Sequence, residues 1–145
     1  MKRKILVSVV AVLLVMGLSL NVSADVLTGG ELVEQLSEEV EREMSVRQLQ
    51  ADLEDGEEYI MLDVRSTEER NNGYIPGSEH VNFGMLFFQI GDYVEDPDEE
   101  FIVLCQGGSR SAIAVKLLQD MGYKPINLAG GFGAWEDFEF EVETP

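Results

Sequence analysis

The residues best suited to chemistry lie in one short segment, which we call the cysteine loop: Cys105-Gln106-Gly107-Gly108-Ser109-Arg110-Ser111. Cys105 is the only cysteine of the 145 residues, so its thiol has no partner for a disulfide within the molecule. Main-chain amides that converge in a glycine-containing turn at a helix start form a positively polarised site. Such a site favours a thiolate and makes a cysteine nucleophilic. We therefore predict that Cys105 is an ionised, solvent-reachable nucleophile; the alternative is a cysteine that is merely packed in the core.

The segments around the loop predict the elements that hold it. An apolar run, residues 101–104, has the length of a buried strand, and apolar residues at helical spacing follow the loop as far as a stop at Gly122. Further strands are predicted at 59–64, 81–83 and 126–128, with helices at 85–93 and around Trp135. Strands that alternate with helices indicate an α/β fold, a small and mainly parallel sheet flanked by helices on both faces.

Three hydroxyl residues followed three positions later by Glu or Gln predict helix starts with reciprocal caps: Thr28 with Glu31, Ser45 with Gln48, and Ser66 with Glu69. The first of these opens an amphipathic N-terminal helix that we expect to run from Glu31 to Met44. Its polar face is acidic, so packing on the domain is favoured over binding to a membrane.

The first 24 residues have the pattern of an export signal. Three basic residues are followed by an apolar run from Ile5 to Leu20, and Val22-Ser23-Ala24 has small residues at the positions that precede a cleavage site. We predict a signal peptide over 1–24, cleavage after Ala24 and a periplasmic or secreted protein without stable membrane insertion; an uncleaved anchor is the alternative. The expected organisation is then an N-terminal helix over 25–44 and one domain over 45–145.

The charge balance is strongly acidic. The chain has 28 acidic and 10 basic residues, and cleavage after Ala24 would remove three of the basic ones and leave a formal net charge of −21. Nucleic acid is a poor partner for such a surface, because phosphate binding needs clustered Lys and Arg.

Three segments together resemble the rhodanese-like sulfurtransferase domain: Leu62-Asp63-Val64-Arg65 with the following Glu68-Glu69 and 73–78, the cysteine loop, and 128–131 with Trp135. They lie in the family's order between Ser45 and about Phe138. Two departures are Tyr74, where many members have His, and the additional N-terminal helix.

The resemblance implies a sulfurtransferase that works without a cofactor. The Cys105 thiolate would take the outer sulfur of a donor such as thiosulfate or polysulfide and become a persulfide. A thiol, cyanide or a partner protein would then accept that sulfur. Amides from Gln106 to Ser111 would stabilise the sulfur's charge, with Gly107 and Gly108 permitting the sharp turn.

The polar side chains of the loop each have two interpretations. Arg110 either orients an anionic donor or forms a salt bridge to Asp63 that braces the loop. Ser109 and Ser111 either donate hydrogen bonds to the sulfur or cap the helix, and Gln106 is expected to face solvent. Arg65 is expected to pair with a nearby carboxylate, and thus to support the site together with Asp63.

A metal site is not expected, because His80 is the only histidine and one imidazole and one distant thiol make no recognisable ligand set. A packed role for His80 is favoured over a general base, and Trp135 is expected in the core.

Three other functions remain open. A phosphatase or arsenate reductase on the same fold would separate Cys from Arg by one residue more than the four found here, so we consider it the weaker alternative. A periplasmic sulfur carrier that serves a partner enzyme would need the same persulfide. An inactive domain would keep Cys105 for packing alone.

Overall fold

The computed structural model describes residues 26–145. Its centre is one sheet of five strands, all parallel, in the order β1-β5-β4-β2-β3. The strands are β1 (Glu43–Ser45), β2 (Ile60–Asp63), β3 (Glu79–His80), β4 (Glu100–Leu104) and β5 (Lys124–Ala129). The parallel sheet predicted from the alternation of strands and helices is confirmed.

Six helices surround this sheet in the described part of the chain. They are α1 (Gly29–Glu38), α2 (Val46–Glu54), α3 (Thr67–Asn71), α4 (Phe83–Tyr93), α5 (Ser109–Asp120) and α6 (Gly131–Asp137). None of the helices within residues 26–145 has the length and apolar character that a membrane crossing requires.

Side chains alternate between two apolar layers, one on each face of the sheet. On one face Leu62 and Val103 pack with residues of α4 and α5. On the other face Ile102 and Leu128 pack with residues of α2 and with Trp135 of α6. The central strands are therefore buried on both faces, which explains their uninterrupted apolar sequences.

The predicted caps explain where the helices begin. Thr28 with Glu31 and Ser66 with Glu69 form complete capping boxes. At Ser45 only half of the box is present: the Ser45 hydroxyl accepts from the Gln48 amide, but the Gln48 side chain donates to Asp52.

The predicted extent of the N-terminal helix is wrong. The helix α1 ends at Glu38, and residues 43–45 form an edge strand instead. Val40 packs against the apolar layer that contains Val103, whereas Met44 packs against the layer on the opposite face. No continuous helix can supply both faces of the sheet, and the helix accordingly ends before Val40.

Two further details of the sequence interpretation change. The short strand expected at 81–83 lies two to three residues earlier, at Glu79–His80, because Asn82 caps α4 through its side chain. The strand β1 also shows that the sheet begins before residue 45. The helix α1 packs on α5. The predicted signal peptide lies outside the described residues.

Candidate active site

Cys105 lies immediately after β4, at the carboxyl end of a central strand, and α5 begins four residues later at Ser109. The carboxyl edge of an open parallel sheet is where such folds bind ligands. Gly108 makes the connection to the helix with a φ of +90°, in the left-handed region that favours glycine. Gly107 has no positive φ, so only one of the two expected glycines is required by the turn.

The thiol sulfur has two polar neighbours. The Gly108 main-chain N–H donates to Cys105 Sγ over 3.2 Å, and the Ser111 hydroxyl oxygen lies 3.5 Å from it. Within residues 26–145 that is the one main-chain amide directed at the sulfur, fewer than the series from 106 to 111 that we expected. Cys105 is also only 1% exposed. The expected open thiol is therefore wrong: the sulfur lies at the floor of the loop, with its amide donor beside it.

Two main-chain hydrogen bonds join the first residues of α6 to the cysteine loop. Phe132 N donates to the Cys105 carbonyl and Gly133 N donates to the Gln106 carbonyl, each over 2.8 Å. A Cβ atom on Gly131 would lie 2.2 Å from the Cys105 carbonyl oxygen, so only glycine permits this approach. Sequence reasoning noted Gly130-Gly131 as part of the family resemblance but did not predict this close approach of Gly131 to the Cys105 carbonyl oxygen.

The salt bridge expected between Arg110 and Asp63 does not form. Arg110 instead pairs with Glu69 of α3, with guanidinium-to-carboxylate distances of 2.8 and 2.5 Å. The hydrogen bond from Arg110 lowers the pKa of Glu69 from 4.5 to about 2, against a smaller opposing effect of burial. The pKa of Arg110 is raised, chiefly by Glu69 and also by the nearby Cys105. Arg110 is thus held by Glu69, and its charge also interacts with Cys105.

The Asp63 carboxylate accepts hydrogen bonds from two other arginines. Arg65, which is 1% exposed, donates to both Asp63 carboxylate oxygens over 2.8 to 3.1 Å, and Arg70 donates to one of them over 3.1 Å. Arg70 was not predicted, because Asp63 lies seven residues away on β2 and no local pattern connects the two. Arg65 also donates to the Gln106 side chain over 3.2 Å, so Gln106 does not simply face solvent.

A second polar path begins at Ser111, which is fully buried. Its hydroxyl oxygen lies 2.7 Å from Asn127 Oδ1 on β5, and Asn127 Nδ2 lies 2.7 Å from the carboxylate of Glu43 on β1. Sequence reasoning missed both Asn127 and Glu43. A polar residue in the middle of the apolar strand β5 was the signal that could have found the first of them.

Ser109 makes neither of the contacts that we expected. Among the described residues its hydroxyl has no hydrogen bond to Cys105 Sγ, and the helix cap at Gly108 has no side-chain hydrogen bond. Ser109 is exposed and lines, with Gly107 and Gly108, a surface cavity of about 190 Å³. Trp135 is buried and donates to the Glu141 carbonyl, and His80 contacts the Arg65 carbonyl over 2.9 Å. Residues 26–145 contain no group of three or more possible metal ligands.

Comparison with known proteins gives this geometry its context. The family model of the rhodanese-like domain matches residues 45–138. A protein of Bacillus subtilis named "Putative sulfurtransferase YtwF" is 36% identical over 97 residues, which cover 66% of this chain and 90% of that protein. The thiosulfate sulfurtransferase GlpE of Shewanella oneidensis is 31% identical over 97 residues, covering 66% and 93%.

A solved structure from Rhodopseudomonas palustris, of a protein of unknown function described as a possible tyrosine phosphatase, superposes with a TM-score of 0.72. It is 30% identical and covers 81% of this chain and 96% of its own. The family match extends over more than half of the sequence and includes the cysteine loop, the Asp63-Arg65 segment and the glycine pair that supports Cys105. This chain therefore belongs to the rhodanese-like domain family.

Proposed function

We propose that this protein transfers sulfane sulfur through a persulfide on Cys105. The observation that carries the proposal is the position of the thiol: it ends a central strand, at the start of α5, and accepts a hydrogen bond from the Gly108 amide. A cysteine kept only for packing needs no such donor. The relatives named as sulfurtransferases support the same reading.

In the first step the Cys105 thiolate attacks the outer sulfur of thiosulfate. A sulfur–sulfur bond forms at Sγ while the bond to the sulfonate sulfur breaks, and sulfite leaves with the electron pair. In the second step cyanide or a thiolate attacks the terminal sulfur, and the Cys105 thiolate departs. Neither step moves a proton, so the proposed mechanism needs no general base.

The residues of the loop stabilise charge rather than transfer protons. The Gly108 amide and the dipole of α5 face the sulfur on which negative charge resides before attack and after sulfur release. Arg110, whose charge interacts with Cys105, would attract an anionic donor, while Glu69 fixes its orientation. A local positive group of this kind offsets the acidic surface, because screening limits repulsion from charges beyond about 8 Å at physiological salt.

Export forms part of the proposal. The predicted signal peptide would place the thiol in a compartment where unpaired cysteines are oxidised. Burial of Cys105 restricts access of large oxidants, and a persulfide resting state would occupy the sulfur with its own substrate. The physiological donor and acceptor are then small sulfur anions and a thiol or partner protein of that compartment.

Thiocyanate formation from thiosulfate and cyanide tests the proposal. We expect turnover by the parent protein, none by Cys105→Ser, and no hydrolysis of an aryl phosphate by either. Very slow turnover combined with stoichiometric sulfur loading from polysulfide would favour the carrier function. Aryl phosphate hydrolysis that depends on Cys105, without thiocyanate formation, would contradict the proposal and favour a phosphatase.

A further inference from the structure

A hydrogen-bonded path leads from the sulfur to the edge of the sheet. It consists of Ser111 on α5, Asn127 on β5 and Glu43 on β1, and the two strands place Glu43 and Asn127 side by side in register. Ser111 and Asn127 are buried, whereas Glu43 is exposed. The exposed carboxylate of Glu43 is thus connected to the surroundings of the Cys105 sulfur through the buried side chains of Asn127 and Ser111.

The carboxylate determines which way the Asn127 amide faces. An ionised Glu43 can only accept hydrogen bonds, so the NH₂ group of Asn127 must point towards it, over 2.7 Å. The amide oxygen of Asn127 then points towards Ser111, and it too can only accept. The hydroxyl of Ser111 must therefore be the donor in this contact.

Ser111 has a single hydroxyl proton for three acceptors. Asn127 Oδ1 lies at 2.7 Å, the Gly108 carbonyl oxygen at 2.9 Å and Cys105 Sγ at 3.5 Å. The shortest contact is to Asn127, and a hydroxyl engaged there presents a lone pair, not its proton, to the sulfur. That arrangement suits a neutral thiol, which can donate to the Ser111 oxygen. A thiolate gains the Ser111 proton only if the bond to Asn127 is given up.

We infer that Glu43 and Asn127 are positioning residues that direct the proton of the Ser111 hydroxyl away from the Cys105 sulfur and so restrain the nucleophilicity of the Cys105 thiol. The inference builds on the proposed role of Cys105 but concerns the free thiol, before any sulfur donor has bound. The charge of Arg110 on α5 also interacts with Cys105, and Arg110 pairs with Glu69 of α3; neither residue belongs to this path.

The substitution Glu43→Lys tests the inference, because an ammonium group can only donate. The Asn127 amide would turn its oxygen to the lysine and its NH₂ group to Ser111. The Ser111 proton would then be divided between the Gly108 carbonyl and the sulfur, and a thiolate, as the charged acceptor, competes for it. We expect alkylation of Cys105 by iodoacetamide to accelerate at pH 7 and its pH profile to move to lower pH. The new charge acts in the same direction, so the measurement needs the Ser111→Ala background, in which only the charge effect remains.

The expected difference between the two backgrounds is about fivefold in alkylation rate, the equivalent of one net hydrogen bond. An equal acceleration with and without Ser111 would show that Glu43 acts through its charge alone and would overturn the inference, as would no acceleration in either. A second cycle with Asn127→Ala, which cuts the path at its middle, must give the same loss of effect and serves if Ser111→Ala does not fold. Circular dichroism verifies the fold of each variant.

The readout separates this inference from the proposed function. Alkylation needs no sulfur donor, so equal effects in both backgrounds beside normal thiocyanate formation would reject the positioning role and leave the function intact. Unequal effects in a protein that accepts no sulfur would reject the function and leave the positioning role.

Discussion

Replacement of Gly131 by alanine should destabilise the cysteine loop more than alanine at any other glycine of the loop or of α6. The new Cβ would lie 2.2 Å from the Cys105 carbonyl oxygen, a distance that has to grow by at least 0.8 Å to reach the shortest separations, 3.0 Å, at which such atoms are found. That oxygen accepts a hydrogen bond from the Phe132 amide over 2.8 Å, so neither the cysteine loop nor the start of α6 can move freely. The residue also has a φ of +58°.

The cost can be estimated from these contacts. A left-handed alanine costs about 1–2 kcal/mol, and overpacking against main chain adds about 1–3 kcal/mol. Loss of glycine's freedom in the unfolded chain returns about 0.4–1 kcal/mol. The net destabilisation is about 1–4.6 kcal/mol. With an unfolding entropy of roughly 0.25 kcal/mol/K for a domain of about 120 residues, the Tm should fall by about 4–18 °C.

Thermal unfolding followed by circular dichroism measures this difference, and Gly107→Ala is the matched control. Gly107 lies in the same loop, has no positive φ, and an added Cβ there would meet nothing within 4 Å. Its Tm should change by no more than about 2 °C, in line with the small effects of unstrained surface substitutions. Equal Tm values for Gly131→Ala and the parent would refute the packing of α6 against the Cys105 carbonyl.

Three further predictions concern the charged residues. Asp63→Asn should lower the free energy of unfolding in urea by about 3–5 kcal/mol, because it leaves the buried Arg65 without its carboxylate; breaking the exposed Arg42–Glu100 pair should change it by less than about 1 kcal/mol. The pKa of Glu69 is about 2 in the folded protein against 4.5 ordinarily, so its contribution to the free energy of unfolding is complete above pH 4.5 and is lost as the pH falls through 2. Glu69→Gln should remove this pH dependence, which amounts to no more than about 1 kcal/mol because the pair is partly exposed. An unchanged dependence of stability on pH in the variant would contradict the pairing with Arg110. Arg110→Ala should raise the thiosulfate concentration for half-maximal turnover about tenfold, the effect of one charge-assisted hydrogen bond; an unchanged value with a lower Tm would assign Arg110 to bracing alone.

The sequence predicted the parts of this fold that depend on local patterns. Apolar runs of strand length identified β2 and β4, and two complete capping boxes fixed the starts of α1 and α3. The edge strand β1 was missed because its three residues carry no pattern of their own and are held by pairing with β5, which is distant in sequence. Helical spacing of Val40 and Met44 was misleading, since the two residues serve opposite faces of the sheet.

The site shows the same division between local and distant information. Cys105 and the turn at Gly108 lie in one segment, and the sequence indicated their position together. The partner of Arg110 was not, because Asp63 and Glu69 are both acidic residues near the loop and only the tertiary structure shows that Arg65 and Arg70 already occupy Asp63. The contacts of Ser111 with Asn127 and of Asn127 with Glu43 span 16 and 84 positions of sequence, beyond any motif.

The most direct test of the central claim is the intact mass of the protein after incubation with thiosulfate. We predict a gain of about 32 Da, the mass of one sulfur atom, that is reversed by cyanide and absent from Cys105→Ser. No gain in the parent protein, or the same gain in the serine variant, would contradict the assignment of Cys105 as the sulfur-carrying residue.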